Sequence, residues 1–282
     1  MHTDDHTDDG RAIAAHYSGG RDLDAAVRAA IRAAGHDPDG LAWDVLAPMD
    51  HFHTRGAEAT ASLARRAAIA AGDRVLDVGG GVGGPARMLA ATTGCHVTVL
   101  DLTPAYARVG AQLTVGAGLT ERVRFATGDA TAMPFADGAF DVVWTQHSTM
   151  NVADKARLYA ETRRVLRPGG RLAMHEIVAG PGGSLHFPVP WAADAAISFL
   201  RSADATRAIV DAAGFAADVW EEVTDASLAW IEVRLAAASH GPPPPLNVAV
   251  IAGPGLGPAL RVLARNLAEG RAAVIEAVGT RR

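Results

Sequence analysis

The chain has 282 residues, 49% hydrophobic and 20% charged, ample material for a folded core in one large domain or two small ones. Its 26 basic and 31 acidic side chains leave a formal net charge of −5, which gives no footing for nucleic acid or an anionic membrane surface. No apolar run approaches the roughly 20 residues of a membrane span, and the acidic start Met1–Asp9 is unlike a signal peptide. A single cysteine, Cys95, excludes an internal disulfide and points to a reducing cytoplasm; it precedes an apolar run and reads as a small buried hydrophobe.

Residues 1–10 are polar and are expected to be disordered, with His2 and His6 as solvated tail. An apolar pattern (Ile13, Ala14, Tyr17) ends at Ser18-Gly-Gly20. Asp22 to Ala34 predicts a helix with Leu23, Val27 and Ile31 on one face. Leu41–Gly56 is rich in aromatic and imidazole groups, and Ala57–Ala71 predicts the helix that leads into the first core strand. Strands near 74–78, 96–100, 123–127, 140–145 and 171–178 alternate with helices near 86–92, 106–116 and 153–165. That alternation predicts a parallel sheet with helices on both faces and the carboxyl ends of the strands along one edge. A glycine- and proline-rich loop, 179–192, is long enough to act as a lid. Beyond it the pattern predicts a helix over 202–213, a strand over 217–223 and a helix over 227–239. The stiff link His240–Pro245, a helix over 259–268 and a last strand over 272–278 complete the chain. The expected organisation is an N-terminal helical cap or lid segment (1–60) and a main domain (61–282), with a lid insertion at 179–201 and a helical insertion at 226–270.

One stretch organises the rest: Arg74-Val-Leu-Asp-Val-Gly-Gly-Gly-Val-Gly-Gly-Pro-Ala-Arg87. A buried strand feeds a helix through glycines, which brings backbone N–H groups and a helix N-terminus to one point and suits a nucleotide-like ligand. Two fingerprints fit. Gly79, Gly81 and Gly84 match the dinucleotide pattern G-x-G-x-x-G. Asp77 with Gly79, Gly81 and Gly83 matches D-x-G-x-G-x-G, the pattern of class I S-adenosylmethionine (SAM) methyltransferases. Asp101, ending the next apolar run, suits either, since a carboxylate there accepts both ribose hydroxyls.

Three further segments discriminate: Gly128-Asp129-Ala130 after the third strand, Ala139-Phe-Asp-Val-Val-Trp144 as the fourth, and Arg164-Val-Leu-Arg-Pro-Gly-Gly-Arg-Leu172 leading into the fifth. Taken in order, these motifs resemble the class I SAM-dependent methyltransferases over roughly residues 60–280. Asp129 has no task in a dinucleotide domain, which leaves hydride transfer a remote alternative. Trp144-Thr-Gln-His-Ser-Thr-Met-Asn151, Asp50-His-Phe-His-Thr-Arg-Gly56, Phe187-Pro-Val-Pro-Trp191 and Asn266-Leu-Ala-Glu-Gly270 are similar to a group of bacterial small-molecule methyltransferases. That group is related to the glycine/sarcosine N-methyltransferases and to C-methyltransferases of indoles and, more distantly, of geranyl diphosphate. The resemblance implies an α/β, Rossmann-like three-layer fold, with five parallel strands, an antiparallel edge hairpin whose last two strands swap order, and an N-terminal helical cap. It implies SAM as cofactor, with S-adenosylhomocysteine as product. Gly79, Gly81 and Gly83 would back the methionine and ribose portion, and Asp101 the ribose hydroxyls. Leu102 would pack on adenine, Asp129 and Ala130 would address its edge, and Gln146 and His147 would line the methyl-donor side. Tyr17 would close over the cofactor.

Methyl transfer from a sulfonium is an in-line displacement, so alignment and desolvation carry most of it. A carbon acceptor such as an indole also needs its ring oriented and its cationic product stabilised or deprotonated, for which a base is useful. Glu176, at the carboxyl end of the fifth strand, is the expected base, with His147 as base or orienter. His53 is expected to face the substrate, and Trp191, Phe187 and Trp43 to form an aromatic wall for a cationic acceptor. His51 and His53 have i, i+2 spacing with no third ligand evident, so no metal is expected. Phe199-Leu200 and Trp230-Ile231 read as core or homodimer contact. The expected activity is C-methylation of an aromatic or unsaturated small molecule, with an amine nitrogen as the next alternative and non-catalytic SAM binding as a remote one.

Overall fold

In the computed structural model, which describes residues 8–18 and 20–282, four helices precede the first strand. They are α1 (Asp8–Ser18), α2 (Leu23–Ala33), α3 (Trp43–Asp50) and α4 (Gly56–Arg66). The core follows as β1 (Arg74–Val78), α5 (Gly84–Thr93), β2 (His96–Asp101), α6 (Pro104–Gly116), β3 (Val123–Thr127), β4 (Phe140–Gln146), α7 (Lys155–Val165) and β5 (Leu166–Ala179). After a long loop come α8 (Ala203–Ala212), β6 (Phe215–Glu222), α9 (Thr224–Ala238), α10 (Ala249–Ala252), α11 (Leu256–Ala268) and β7 (Ala272–Arg281). Helix α1 begins within the expected tail, at Asp8; His2 and His6 lie outside the described residues. No described helix is long and apolar enough to cross a membrane.

The seven strands pair in the order β3-β2-β1-β4-β5-β7-β6, with β1 to β5 parallel and β7 antiparallel to both its neighbours. The expected swap of the last two strands is present; β6 and β7 are joined through helices rather than a hairpin turn. Alternation along the strands sends side chains to opposite faces. Leu76, Val143, Leu172 and Met174 pack with Leu158 and Tyr159 of α7 on one side. Val75, Val97, Val142 and Trp144 pack with Leu63 of α4 and Leu89 of α5 on the other.

Local sequence starts several helices. The carboxylate of Asp22 accepts the N–H of Ala25 before α2, Asp154 that of Arg157 before α7, and Ser202 that of Ala205 before α8. Leu23, Val27 and Ile31 of α2 then bury against Tyr106, Val109 and Leu113 of α6, each contributing about 1.5–3 kcal/mol. Helix α4 stops at Arg66 rather than reaching Ala71. Arg171, far along the chain, donates to the carbonyls of Ala67 (2.5 Å) and Ala68 (2.6 Å) and supplies the partners that another helical turn would have given.

The parallel strands all present their carboxyl ends to one edge. Strand β1 lies between β2 and β4, so the order reverses there, and the crevice outside its end is where α/β sheets of this kind bind ligands.

Candidate active site

A cavity of about 840 Å³ opens at that edge. One end is built from the β1–α5 turn and the ends of β2 and β4; the other is walled by α1, α9, α11 and the loops around Trp191 and Pro242–Pro244. Tyr17, His53, Asp77, Gly79, Gly81, Asp101, Leu102, Asp129, Ala130, Gln146, His147 and Trp191 all line it. Gly83, Phe187 and Glu176 do not.

At the acidic end, burial and the neighbouring Asp101 push the Asp77 carboxyl up to about 7, and its Oδ2 has no hydrogen-bond partner. Asp101 accepts the N–H of Gly81 at 2.9 Å and that of Thr103 at 2.8 Å, which ties the glycine turn to the end of β2. Burial still raises its carboxyl above the ordinary range, against those two hydrogen bonds. Asp129 accepts the N–H and hydroxyl of Thr131 at 2.7 and 2.8 Å. The Oε1 of Gln146 accepts from Trp144 Nε1 (3.0 Å) and Thr60 Oγ1 (3.1 Å), leaving its buried Nε2 without a partner. An unsatisfied buried acceptor and donor on one wall suit a ligand that carries both a cationic and an accepting group. The Tyr17 hydroxyl donates to Asn151 Oδ1 at 2.8 Å, and Asn151 donates in turn to the carbonyls of Trp191 and Ile197. These bonds latch α1 over the cavity. Gly83 is required for a different reason than expected: at φ +78°, a Cβ there would lie 2.7 Å from the ring of Phe125.

Four imidazoles cluster beside the acidic end. The rings of His147 and His175 stack at 4.9 Å, with His53 5.9–6.2 Å from each and His51 5.6 Å from His53. Burial, reinforced by the neighbouring imidazoles, holds His53 and His147 well below the ordinary histidine range, so both are neutral at pH 7. His53 lines the wall but spends Nε2 on the Gly56 carbonyl (3.0 Å). His147 sits at φ +48°, with its N–H on the His175 carbonyl and Nε2 3.3 Å from Thr54 Oγ1.

Glu176 is set behind the wall, not on it. Its carboxylate accepts the N–H groups of Ser148 (3.4 Å) and Thr149 (3.3 Å), while burial raises its pKa. Lys155 donates to the carbonyls of Thr149 and Val152 from the other side, so the pair clamps the Ser148–Val152 segment. Phe187 packs in the hydrophobic cluster with Leu263 and Leu267, and Trp43 is also absent from the cavity wall. Of the expected aromatic wall only Trp191 lines the cavity, and Phe52, Tyr106 and Trp230 stand beside it in place of Phe187 and Trp43. Trp230, expected as core or dimer contact, lines the cavity and stacks under Arg234 at 3.4 Å, whereas its neighbour Ile231 is fully buried. Helical spacing alone does not tell a cavity-facing tryptophan from a core one. Among the described residues no metal-binding cluster is present.

Residues 76–174, from β1 to β5, match the family described as "Methyltransferase domain". This stretch is a methyltransferase domain. The matched stretch carries Asp77, the glycine turn, Asp101, Asp129, Gln146 and His147, the whole acidic end of the cavity. The chain is 38% identical over 136 residues to Methyltransferase GfsG of Streptomyces halstedii, covering 48% of this chain and 49% of that one. It spans half or less of the length of the curated relatives it matches. In fold it is similar to geranyl diphosphate C-methyltransferase from Streptomyces coelicolor A3(2), solved with Mg²⁺, geranyl diphosphate and S-adenosyl-L-homocysteine (TM-score 0.71, 20% identity, 98% of both chains). It is also similar to the [4+2]-cyclase SpnF (TM-score 0.67, 24% identity, 94% of this chain and 96% of that one). The fold thus reaches beyond the methyltransferase domain into the cap, α9 and α11.

Proposed function

We propose that the protein is a SAM-dependent methyltransferase that acts on an aromatic or unsaturated carbon of a small specialised metabolite, such as an indole. The cavity's two unlike ends carry this reading. The donor end offers the unpartnered Asp77 Oδ2, the Asp101 and Asp129 carboxylates and the free Gln146 amide, a donor set that fits the ammonium, ribose and adenine groups of SAM. When bound there, SAM supplies an electrophilic methyl group on a sulfonium. The acceptor end is large and apolar, with Ile13, Met150, Trp191, Trp230, Leu260 and Leu263 in its walls. Arg234 is the one arginine or lysine among the described lining residues, poor provision for a diphosphate. A glycine-sized amine would leave most of the apolar wall wet.

The residues divide the work accordingly. Tyr17 and Asn151 hold the cap shut and exclude water. The Ser148–Val152 segment, clamped by Glu176 and Lys155, positions the acceptor against the donor end. The imidazole cluster at the junction offers a ring nitrogen that can take the proton an arene releases after methylation. In the N-methylation alternative the proton leaves the alkylammonium before transfer, and the methylated nitrogen loses none afterwards.

Calorimetric titration with SAM and with NAD⁺, followed by mass spectrometry of acceptor mixtures, tests the reading. SAM binding, no NAD⁺ binding, and a 14-Da gain on an indole-type acceptor at carbon are the expected results. NAD⁺ binding, or methyl gain at nitrogen only, overturns it.

A further inference from the structure

We propose that His51 is the proton acceptor of this site, with Asp50 as its positioning residue and Arg87 as the anchor of Asp50. The proposal rests on the reading above, that the acceptor loses a proton when it is methylated.

Asp50 ends α3 and His51 follows it, both buried. Asp50 Oδ1 lies 2.8 Å from His51 Nδ1, and Oδ2 accepts from Arg87 of α5 at 2.8 Å. Arg87 is fully buried and is fixed by Thr114 Oγ1 (3.1 Å) and the Gly110 carbonyl (3.2 Å) of α6. Burial pushes the Asp50 carboxyl up, but the hydrogen bond from His51 and the Arg87 charge more than reverse this, and it stays ionised. A carboxylate against Nδ1 requires the proton on Nδ1, which leaves the lone pair on Nε2. That Nε2 is buried and has no partner among the described residues, and His51 lines the cavity. The other three imidazoles of the cluster use Nε2 within the protein: His53 on Gly56, His147 and His175 on Thr54. His53 is a further titratable neighbour of His51, its ring centroid 5.6 Å away.

The same contact explains a glycine that the D-x-G-x-G-x-G pattern does not use. A Cβ on Gly84 would lie 2.4 Å from the Asp50 carbonyl oxygen and 2.5 Å from Oδ1. Gly84 is therefore what lets Asp50 seat on the first turn of α5.

In the step, the methylated ring carbon gives up its hydrogen as a proton. The C–H electron pair returns to the ring, and the proton bonds to His51 Nε2. The resulting imidazolium is paired with the Asp50 carboxylate at 2.8 Å.

Two measurements on the full chain decide the proposal. Long-range ¹H–¹⁵N spectra, assigned by His51→Gln, are expected to show His51 with a protonated Nδ1 and a bare Nε2. Asp50→Asn, which keeps the shape, is expected to change that tautomer balance. A protonated Nε2 in the wild type overturns the proposal. With an indole acceptor that turns over, His51→Gln is expected to lower kcat 10²–10⁴-fold with the calorimetric Kd for SAM unchanged within a factor of two. A loss of SAM affinity that accounts for the whole loss of rate makes His51 a donor ligand and overturns the proposal as well. If SAM binds and no indole is methylated, the acceptor reading fails, and the ring spectrum still judges His51. Should His51→Gln fold poorly, His51→Asn replaces it.

Discussion

Replacing Asp77 by asparagine should stabilise the ligand-free protein while weakening SAM binding. Burial and Asp101 raise this carboxyl from its ordinary 3.8 to about 7. Between those values the folded state holds a proton that the unfolded chain releases, so stability falls as pH rises through that window. About three pH units at 1.36 kcal/mol each make the ionised Asp77 cost about 4 kcal/mol above pH 7 and only about 1.6 kcal/mol at pH 5. Asparagine removes that penalty but leaves an amide donor without a partner, at about 1–3 kcal/mol. The net gain at pH 8 is therefore about 1–3 kcal/mol. The packing cost is the same at both pH values, so the difference between variant and wild type should grow by about 2–3 kcal/mol from pH 5 to pH 8. Urea unfolding of both proteins at the two pH values measures it directly. A difference independent of pH, or one that shrinks toward pH 8, would refute the assignment of Asp77 as a strained carboxyl awaiting a cationic ligand. In the same preparation, SAM affinity should drop at least tenfold, about 1.4 kcal/mol, since the variant cannot pair with an ammonium.

Other consequences are as specific. Arg87→Met should destabilise the fold by about 3–5 kcal/mol because it strands the Asp50 carboxylate in the interior, and adding Asp50→Asn should recover part of that in denaturant titrations. Glu176→Gln should loosen the Ser148–Val152 segment, raising KM for acceptor and Kd for SAM several-fold while kcat changes little; a 10²-fold fall in kcat alone would restore Glu176 as the base. His53 and His147 have pKa values below the ordinary 6.5, so the unfolded chain binds protons first and stability is lost as pH falls below 6.5. His147→Gln should flatten that acid limb in thermal unfolding scans. Trp230→Ala should raise acceptor KM about tenfold and leave SAM binding intact, which separates the two ends of the cavity.

The acidic end of the cavity was legible in the sequence because backbone geometry dictates it. A strand that turns sharply into a helix needs glycines at fixed offsets, and the acids that end β2 and follow β3 fall at the same sheet edge by topology alone. The acceptor end was not legible, because it depends on which way side chains turn. Glu176 stands at the right strand end, yet the free N–H groups of Ser148 and Thr149 draw its carboxylate away from the cavity. Trp230 has core-like spacing, yet it lines the cavity beside residues of α11. The Asp50–His51 pair was visible as adjacent letters; only its partner Arg87, 37 positions on, shows what the pair is held for. The end of α4 depended on Arg171, a contact that no local pattern announces.

The most direct test of the central claim is transfer of a labelled methyl group from SAM to a mixed panel of tryptophan-containing cyclic dipeptides, simple indoles, glycine-type amines and prenyl diphosphates, with the product position read by NMR. The two-ended cavity predicts label on a ring carbon of an indole-type acceptor. Label confined to an amine nitrogen would contradict it.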